Sequence, residues 1–231
     1  LMHAAAAGSF PPDAETCQEE DGRVLWRVDR TSDGGARLYI VSPGKPSLLG
    51  LDEQIGWPDC EPQWGTRAYD DFLSHISDGQ VYSFRLTANP ALSRSTRGGV
   101  TDIKNQKGDS KRIGHLTVLQ QEAWLVGKQA YEGSGVEAPK LFANELVSRA
   151  QRNGFEVLAN EIGIPKVIVS NSGKVTFRKG AQGKSITLIR AQYDGVLKVT
   201  DADALRRAMT CGIGHAKAFG CGLLTLVPLG K

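Results

Sequence analysis

Apolar and polar positions alternate along several short stretches of the chain, a pattern that predicts β-strands. Residues 23–29 and 36–41 alternate in this way, and the turn-forming sequence Thr31-Ser-Asp-Gly-Gly35 lies between them. Two such runs around a Gly-containing turn predict a β-hairpin. Residues 80–87 predict a further strand.

Helical patterns precede and follow that hairpin. Residues 1–7 are strong helix formers that stop at Gly8, and residues 69–76 predict a second short helix. Residues 43–66 are rich in Pro, Gly and Trp and predict a loop. With a leading strand expected ahead of Leu1, the element order is βαββαβ, so we predict an N-terminal ferredoxin-like domain over residues 1–84.

A similar element order is predicted for residues 85–231. Thr117 and Gln120 have the spacing of a capping box, which starts a helical region. This region continues to residue 154, with interruptions at Gly133-Ser-Gly135 and Pro139. The strands expected after it cover residues 155–158, 166–170, 174–177, 185–190 and 196–199, followed by a helix over 201–209 and a closing strand over 222–228. The predicted fold class is therefore α+β, with two tandem ferredoxin-like (RRM-like) domains, 1–84 and 85–231.

Charge divides the chain in the same way. The 231 residues carry a net charge of +3, but residues 1–84 hold 6 basic and 14 acidic side chains (net −8), and residues 85–231 hold 22 and 11 (net +11). Such asymmetry indicates a polyanionic partner. No stretch approaches the roughly 20 apolar residues of a membrane span, which favours nucleic acid over a membrane.

Cysteine and histidine spacing argues against a metal site. The four cysteines form no CxxC pair and the four histidines no ligand-spaced pair. Four cysteines are also too few for a disulfide scaffold of this length. We expect no metal or other cofactor, and a protein that works in the reducing cytoplasm.

A Gly-rich segment between the last helix and the closing strand is the most specific motif. It reads Gly212-Ile-Gly-His-Ala-Lys-Ala-Phe-Gly-Cys-Gly222. Glycines let a backbone approach a phosphate closely, and Lys217 would add charge. The order of elements differs from that of a P-loop or a Rossmann fingerprint. From this chemistry alone, an anion-binding loop and a flexible connection remain equally open.

At this segment the sequence resembles the CasE family of type I-E CRISPR-associated endoribonucleases, within the RAMP superfamily. Further matches, in family order, are Leu1–His3 with Phe10-Pro11, Phe84–Pro90, and Lys111-Arg112 with His115 and Thr117–Gln121. The resemblance spans nearly the whole chain. Two departures are the absence of the family's leading strand, with a tyrosine often found before the histidine, and a longer, irregular stretch at residues 127–140.

The resemblance implies that His3 is catalytic. Family members cleave RNA without metal, by attack of a 2′-OH on the adjacent phosphate, which leaves a 2′,3′-cyclic phosphate and a 5′-OH. Histidine suits the proton transfers because its pKa lies near neutrality. The implied substrate is precursor CRISPR RNA, cut at the 3′ base of its repeat hairpin. The implied partners are that RNA and the other subunits of the type I-E surveillance complex.

Three regions are candidates for binding RNA: a basic excursion within residues 85–112, a basic hairpin within 174–190, and the Gly-rich segment. The candidate RNA-binding residues are Arg94, Arg97, Lys104, Lys107, Lys111, Arg112, Lys174, Arg178, Lys184, Gly212, Gly214, His215 and Lys217. From the residues alone, a solvated loop is favoured for the excursion. For the hairpin, protection of a strand edge by its lysines and arginines and binding of RNA are equally open.

Two other functions remain open at this point. The first is a non-catalytic RNA-hairpin-binding subunit of the same superfamily, in which His3 has no role in chemistry. The second is a nucleotide- or phosphometabolite-binding enzyme that uses the Gly-rich segment.

Overall fold

The computed structural model describes residues 2–11, 17–18, 22–55, 64–94, 111–131, 148–178 and 185–229. Its N-terminal elements are α1 (Met2–Gly8), β1 (Cys17–Gln18), β2 (Gly22–Arg23), β3 (Leu25–Arg30), β4 (Ala36–Val41), α2 (Leu49–Ile55) and α3 (Asp70–Ser74). Helices α1 and α3 and the antiparallel β3–β4 hairpin confirm the predictions. Residues 43–66 were predicted as a loop, and this prediction missed helix α2. The helix is a proline-free run of seven residues surrounded by the Pro and Gly residues on which the loop prediction was based.

The C-terminal elements begin with the strand that follows α3. They are β5 (Val81–Ala88), β6 (Ala91–Arg94), β7 (Lys111–Gly114), α4 (Val118–Val126), α5 (Arg149–Arg152), β8 (Phe155–Val157), β9 (Val167–Arg178), β10 (Ser185–Val199), α6 (Ala202–Cys211) and β11 (Leu224–Pro228), with 3₁₀ turns at Lys128–Tyr131 and Lys217–Phe219. The capping box of Thr117 and Gln120 starts α4 as predicted. Asp201 caps α6 by accepting a hydrogen bond from the Ala204 amide.

Strands β11, β5, β10 and β8 lie side by side in that order, and β9 also pairs with β10. All of these pairs are antiparallel. If β5, β8, β10 and β11 are numbered 1 to 4 and β9 is left aside, the sheet order is 4-1-3-2, which is the order of a ferredoxin-like unit. Buried side chains of β5, β10, α4 and α6 share one core, which includes Leu86, Trp124, Tyr193, Leu197, Leu205 and Met209.

Strand β5 differs from its predicted place. The sequence pattern made residues 80–87 the last strand of the N-terminal unit, whereas β5 pairs with β10 on one edge and with β11 on the other. Alternation predicts a strand but does not identify the sheet that it joins. The division between residues 84 and 85 stays a prediction, and it falls inside β5.

Two predicted breaks are not turns. Residues 166–170 and 174–177 form the single strand β9, and Asn171 adopts a φ of 46° within it. The predicted break between the strands of residues 185–190 and 196–199 lies inside β10, which includes Asp194 and Gly195. A Cβ on Gly195 would come within 2.5 Å of the Lys166 carbonyl oxygen, so this glycine permits close packing between chain segments.

Candidate functional site

The Gly-rich segment is a structured connection between α6 and β11. Positive φ angles occur at Gly212, Gly214, Ala216, Gly220 and Gly222. Its two ends are joined, because the Ile213 amide donates to the Gly222 carbonyl at 2.9 Å. The Gly222 amide donates in turn to the Thr87 carbonyl at 2.7 Å. The segment is thus held on β5 by backbone hydrogen bonds.

Two tryptophans from opposite halves of the chain pack against this segment. A Cβ on Gly220 would lie 2.7 Å from the Trp26 ring, and one on Gly214 would lie 3.1 Å from the Trp124 ring. Both tryptophans are buried. These glycines are therefore required by packing and by their positive φ, in addition to any approach of a ligand.

Trp124 also contacts the side chains of Arg149 and Tyr193. The Arg149 guanidinium lies 4.5 Å from the centre of the Trp124 ring, and the Tyr193 ring lies 5.8 Å from it. His115 is fully buried, and burial together with the charge of Arg149 lowers its pKa. The Gln121 side chain donates to the His115 carbonyl at 2.9 Å. This burial gives His115 a structural role directly after β7.

Helix α1, which contains His3, lies against the 3₁₀ turn Lys217–Phe219 of the Gly-rich segment. Ala6 and Phe10 are buried, which fixes this end of the chain on the molecule. The His3 side chain lies outside the described part of the structure. The helix that carries the candidate catalytic residue and the candidate phosphate-binding segment are therefore neighbours, although more than 200 residues separate them in the sequence.

Four of the candidate RNA-binding residues lie within the Gly-rich segment: Gly212, Gly214, His215 and Lys217. His215 and Lys217 are half-buried. The aliphatic part of Lys217 packs on the backbone, because a Cβ on Gly222 would lie 3.2 Å from the Lys217 Cγ. The sequence motif thus gathers these four residues at one place next to α1.

The hairpin of β9 and β10 contacts the Gly-rich segment with one face. The Phe177 and Phe219 ring centres are 4.4 Å apart, so Phe219 anchors the Gly-rich segment on the hairpin. Arg190 pairs with Gly173 and therefore shares the face of Phe177. Burial raises the pKa of the Cys221 thiol to about 12, and the nearby positive charge of Arg190 acts in the opposite direction.

Arg190, one of the basic residues of the predicted hairpin within 174–190, is a further candidate site residue. It is exposed and lies beside the Gly-rich segment. Strand alternation could have placed it on the face of Phe177, but only once the register of β9 and β10 was known.

The opposite face of the β9–β10 hairpin lies against the end of β7, just after the basic excursion of residues 85–112. Lys174 is exposed and pairs with Ile189. A Cβ on Gly114, at the end of β7, would lie 2.5 Å from the Ile189 Cγ1. Lys174 therefore shares its face with the point where β7 meets the hairpin, while Phe177 and Arg190 face the Gly-rich segment.

The remaining basic candidates are only partly covered by the structure. Arg94 pairs with Lys111 in the β6–β7 ladder, Arg112 follows in β7, and Arg178 ends β9. Their side chains lie outside the described residues. Arg97, Lys104, Lys107 and Lys184 lie outside them entirely.

A search of the described residues finds no group of three or more His, Cys, Asp or Glu side chains placed to hold a metal ion. Among the helices of the described ranges, none is long and apolar enough to cross a membrane.

Comparison with known proteins gives one family over almost the whole length. A sequence model of the family described as CRISPR associated protein matches residues 1–228. The CRISPR-associated endoribonuclease Cse3 of Thermus thermophilus is 25% identical over 216 residues, covering 91% of this chain and 82% of that protein. The CRISPR system Cascade subunit CasE of Escherichia coli is 49% identical over 47 residues, or 20% of this chain and 24% of its own.

A solved structure gives the same fold. The structure of CRISPR endoribonuclease Cse3 bound to 19 nt RNA aligns with a TM-score of 0.66 at 22% identity, covering 98% of this chain and 89% of that one. This likeness confirms the predicted fold class of two tandem ferredoxin-like units.

Proposed function

The chain belongs to the CRISPR-associated protein family, and on that premise we propose that it is an endoribonuclease that processes precursor CRISPR RNA. The match to residues 1–228 carries the proposal. It is supported by a relative that is similar over 91% of the chain and is named an endoribonuclease. The contact between α1 and the Gly-rich segment is a second, geometric support.

The proposed reaction is cleavage at the 3′ base of the repeat hairpin. The 2′-OH of one nucleotide attacks the adjacent phosphate, the bond to the 5′-oxygen of the next nucleotide breaks, and the products carry a 2′,3′-cyclic phosphate and a 5′-OH. The attacking hydroxyl loses a proton and the leaving oxygen gains one. His3 serves this proton transfer, because an imidazole both accepts and donates protons near neutral pH.

The Gly-rich segment and the basic residues hold the RNA around the cleaved bond. Lys217 and His215 lie in the segment that α1 contacts, where positive charge stabilises the extra negative charge of the transition state. Lys174, Arg178, Lys184 and the basic residues between Arg94 and Arg112 bind the phosphates of the stem. Duplex RNA is recognised mainly through its backbone and shape, so this contact tolerates changes in the sequence of the stem.

The product stays bound, and the protein serves as a subunit of the type I-E surveillance complex. The name of the Escherichia coli relative, a Cascade subunit, supports this assignment. Precursor RNA is made in the cytoplasm, which is where the protein acts.

The test is incubation of the protein with a repeat hairpin RNA in EDTA, followed by analysis of the product ends. We expect one cut at the 3′ base of the hairpin, with a cyclic phosphate and a 5′-OH. A matched RNA with a 2′-deoxy nucleotide at the cleavage site should bind and remain intact. Cleavage that requires added metal, or that persists on the 2′-deoxy substrate, would overturn the proposed mechanism. Binding of the hairpin without cleavage would favour the non-catalytic RNA-binding subunit.

A further inference from the structure

Arg27 of β3 has a fully saturated guanidinium in the interior of the molecule. The residue is 2% exposed. Its Nε and Nη2 donate to the two Asp29 carboxylate oxygens at 2.7 and 3.0 Å. Its Nη1 donates to the carbonyls of Arg85 and Leu223, both at 3.1 Å, and Nη2 donates to the Thr225 hydroxyl at 2.9 Å. A guanidinium has five N–H groups, and these five bonds use all of them.

The acceptors join β3 to the point where the Gly-rich segment ends. Leu223 is the last residue before β11, and Thr225 lies inside that strand. Arg85 lies in β5, beside β11. Arg27 therefore connects a strand of the N-terminal half to two strands of the C-terminal sheet, at the exit of the Gly-rich segment.

The two residues before Arg27 also contact this segment. A Cβ on Gly220 would lie 2.7 Å from the Trp26 ring, and one on Gly212 would lie 2.7 Å from the Leu25 Cδ2. Three consecutive residues of β3 thus contact the start, the second half and the exit of the Gly-rich segment. Apolar packing has little directionality, whereas the two hydrogen bonds from Arg27 to Leu223 and Thr225 are directional and fix the exit of the segment.

Two carboxylates hold this arrangement together. Asp29 accepts from Arg27 and also from Arg85, whose Nη1 lies 3.4 Å from its Oδ2. Arg85 donates through Nε to Asp194 of β10 at 2.5 Å. The four side chains sum to zero charge. They leave the Arg85 side chain engaged by two acids, so its role differs from that of the basic residues proposed to bind RNA.

We propose that Arg27 is a positioning residue, which holds the Gly-rich segment in register with the N-terminal half, and so with α1, for RNA cleavage. The inference rests on the proposed function. Lysine cannot replace Arg27, because an ammonium lacks the planar fork that reaches five acceptors at once. Misplacement of substrate-holding groups by about 1 Å costs on the order of 100-fold in rate, so the position of the segment matters more to cleavage than to general affinity for RNA.

The test is single-turnover cleavage of a repeat hairpin with Arg27→Lys, at protein concentrations that saturate the RNA. We expect the saturated rate constant to fall by about 10- to 100-fold, while the dissociation constant for RNA changes by less than about threefold. Arg30→Lys is the matched control, since Arg30 lies on the same strand and is exposed; it should behave as wild type.

A milder pair of variants keeps the test valid if Arg27→Lys fails to fold. Thr225→Val removes one acceptor of Arg27, and Thr225→Ser restores a hydroxyl at the same place. We expect Thr225→Val to lower the saturated rate and Thr225→Ser to recover it. Hydrogen exchange should rise at the Ile213 and Gly222 amides in Thr225→Val, while the amides of α4 keep their protection.

The outcomes separate the two proposals. If the wild-type protein does not cleave the hairpin, the proposed function fails and the positioning role falls with it. If wild type cleaves, and Arg27→Lys and Thr225→Val cleave at its saturated rate, only the positioning role is overturned. A loss in affinity equal to the loss in rate would also overturn it, since Arg27 would then act on RNA binding.

Discussion

The two halves of the chain differ in charge and in what they contribute. Residues 1–84 carry a net charge of −8 and provide α1 with His3, whereas residues 85–231 carry +11 and provide most of the sheet, the basic hairpins and the Gly-rich segment. The halves meet where α1 and β3 contact that segment. Charge therefore favours the basic half as the proposed place where RNA is held, while the proposed chemistry lies at the junction and depends on the acidic half.

The variant His3→Ala distinguishes most clearly between the contributions of the two halves to cleavage and to RNA binding. We expect the single-turnover cleavage rate to fall by about 10²- to 10⁴-fold, the usual contribution of a positioned acid or base, with hairpin affinity unchanged. Gel-based cleavage and filter binding on the same preparation measure both. His75→Ala is the matched control, because His75 is an exposed histidine of the same half. Unchanged cleavage by His3→Ala would remove the catalytic role of the acidic half.

The junction is tested by Gly220→Ala. Its added methyl would lie 2.7 Å from the Trp26 ring at a φ of +75°, so we expect a loss of about 1–3 kcal/mol in the free energy of unfolding. Gly34→Ala is the matched control, since Gly34 has a φ of +85° and a Cβ added there would meet no atom within 4 Å. Chemical denaturation measures both variants. Equal losses would mean that backbone strain alone is being measured and that the contact between the halves adds nothing.

Local signals in the sequence predicted most elements but not this junction. The capping box of Thr117 and Gln120 involves residues three apart and is visible in the sequence itself. Arg27 and Leu223 are 196 positions apart, and no periodicity relates them. Arg27 reads from sequence as a charged residue in a strand, and only the fold shows that it is buried. The Gly-rich segment was identified by its motif, but its contacts with Trp26 and Trp124 required the structure.

The holding role of the basic half is tested by Lys174→Gln and Arg190→Gln, one on each face of the β9–β10 hairpin. Each variant should weaken binding of the repeat hairpin RNA by roughly 1 kcal/mol or less, as for an exposed charge pair. Each should also reduce the slope of log affinity against log salt concentration by the amount expected for about one phosphate contact. The saturated cleavage rate should stay unchanged. Titrations of the RNA at several salt concentrations give all three results.

Lys198→Gln is the control for that prediction. Lys198 is likewise an exposed lysine, but it lies near the C-terminal end of β10, and its Nζ lies 3.8 Å from a Glu156 oxygen of β8. If this variant weakens binding as much as Lys174→Gln does, the basic half attracts RNA through its total charge and the hairpin faces have no separate role.

The smallest expected effect concerns pH and lies within the basic half alone. Burial and the charge of Arg149 lower the pKa of His115 in the folded protein, so the unfolded chain binds the proton more readily. Stability should therefore be fully present above the unfolded pKa of about 6.5 and decline as the pH falls below it. Because Arg149 also stacks on Trp124, which packs against Gly214, a proton on His115 would repel the cation that supports the basic-half side of the Gly-rich segment.

The variant His115→Gln tests this pH dependence. It should flatten the decline in the free energy of unfolding measured by denaturation between pH 7 and 5, while His75→Gln should leave the decline as steep as in wild type. A decline that survives in His115→Gln would show that other groups set the acid stability of this half.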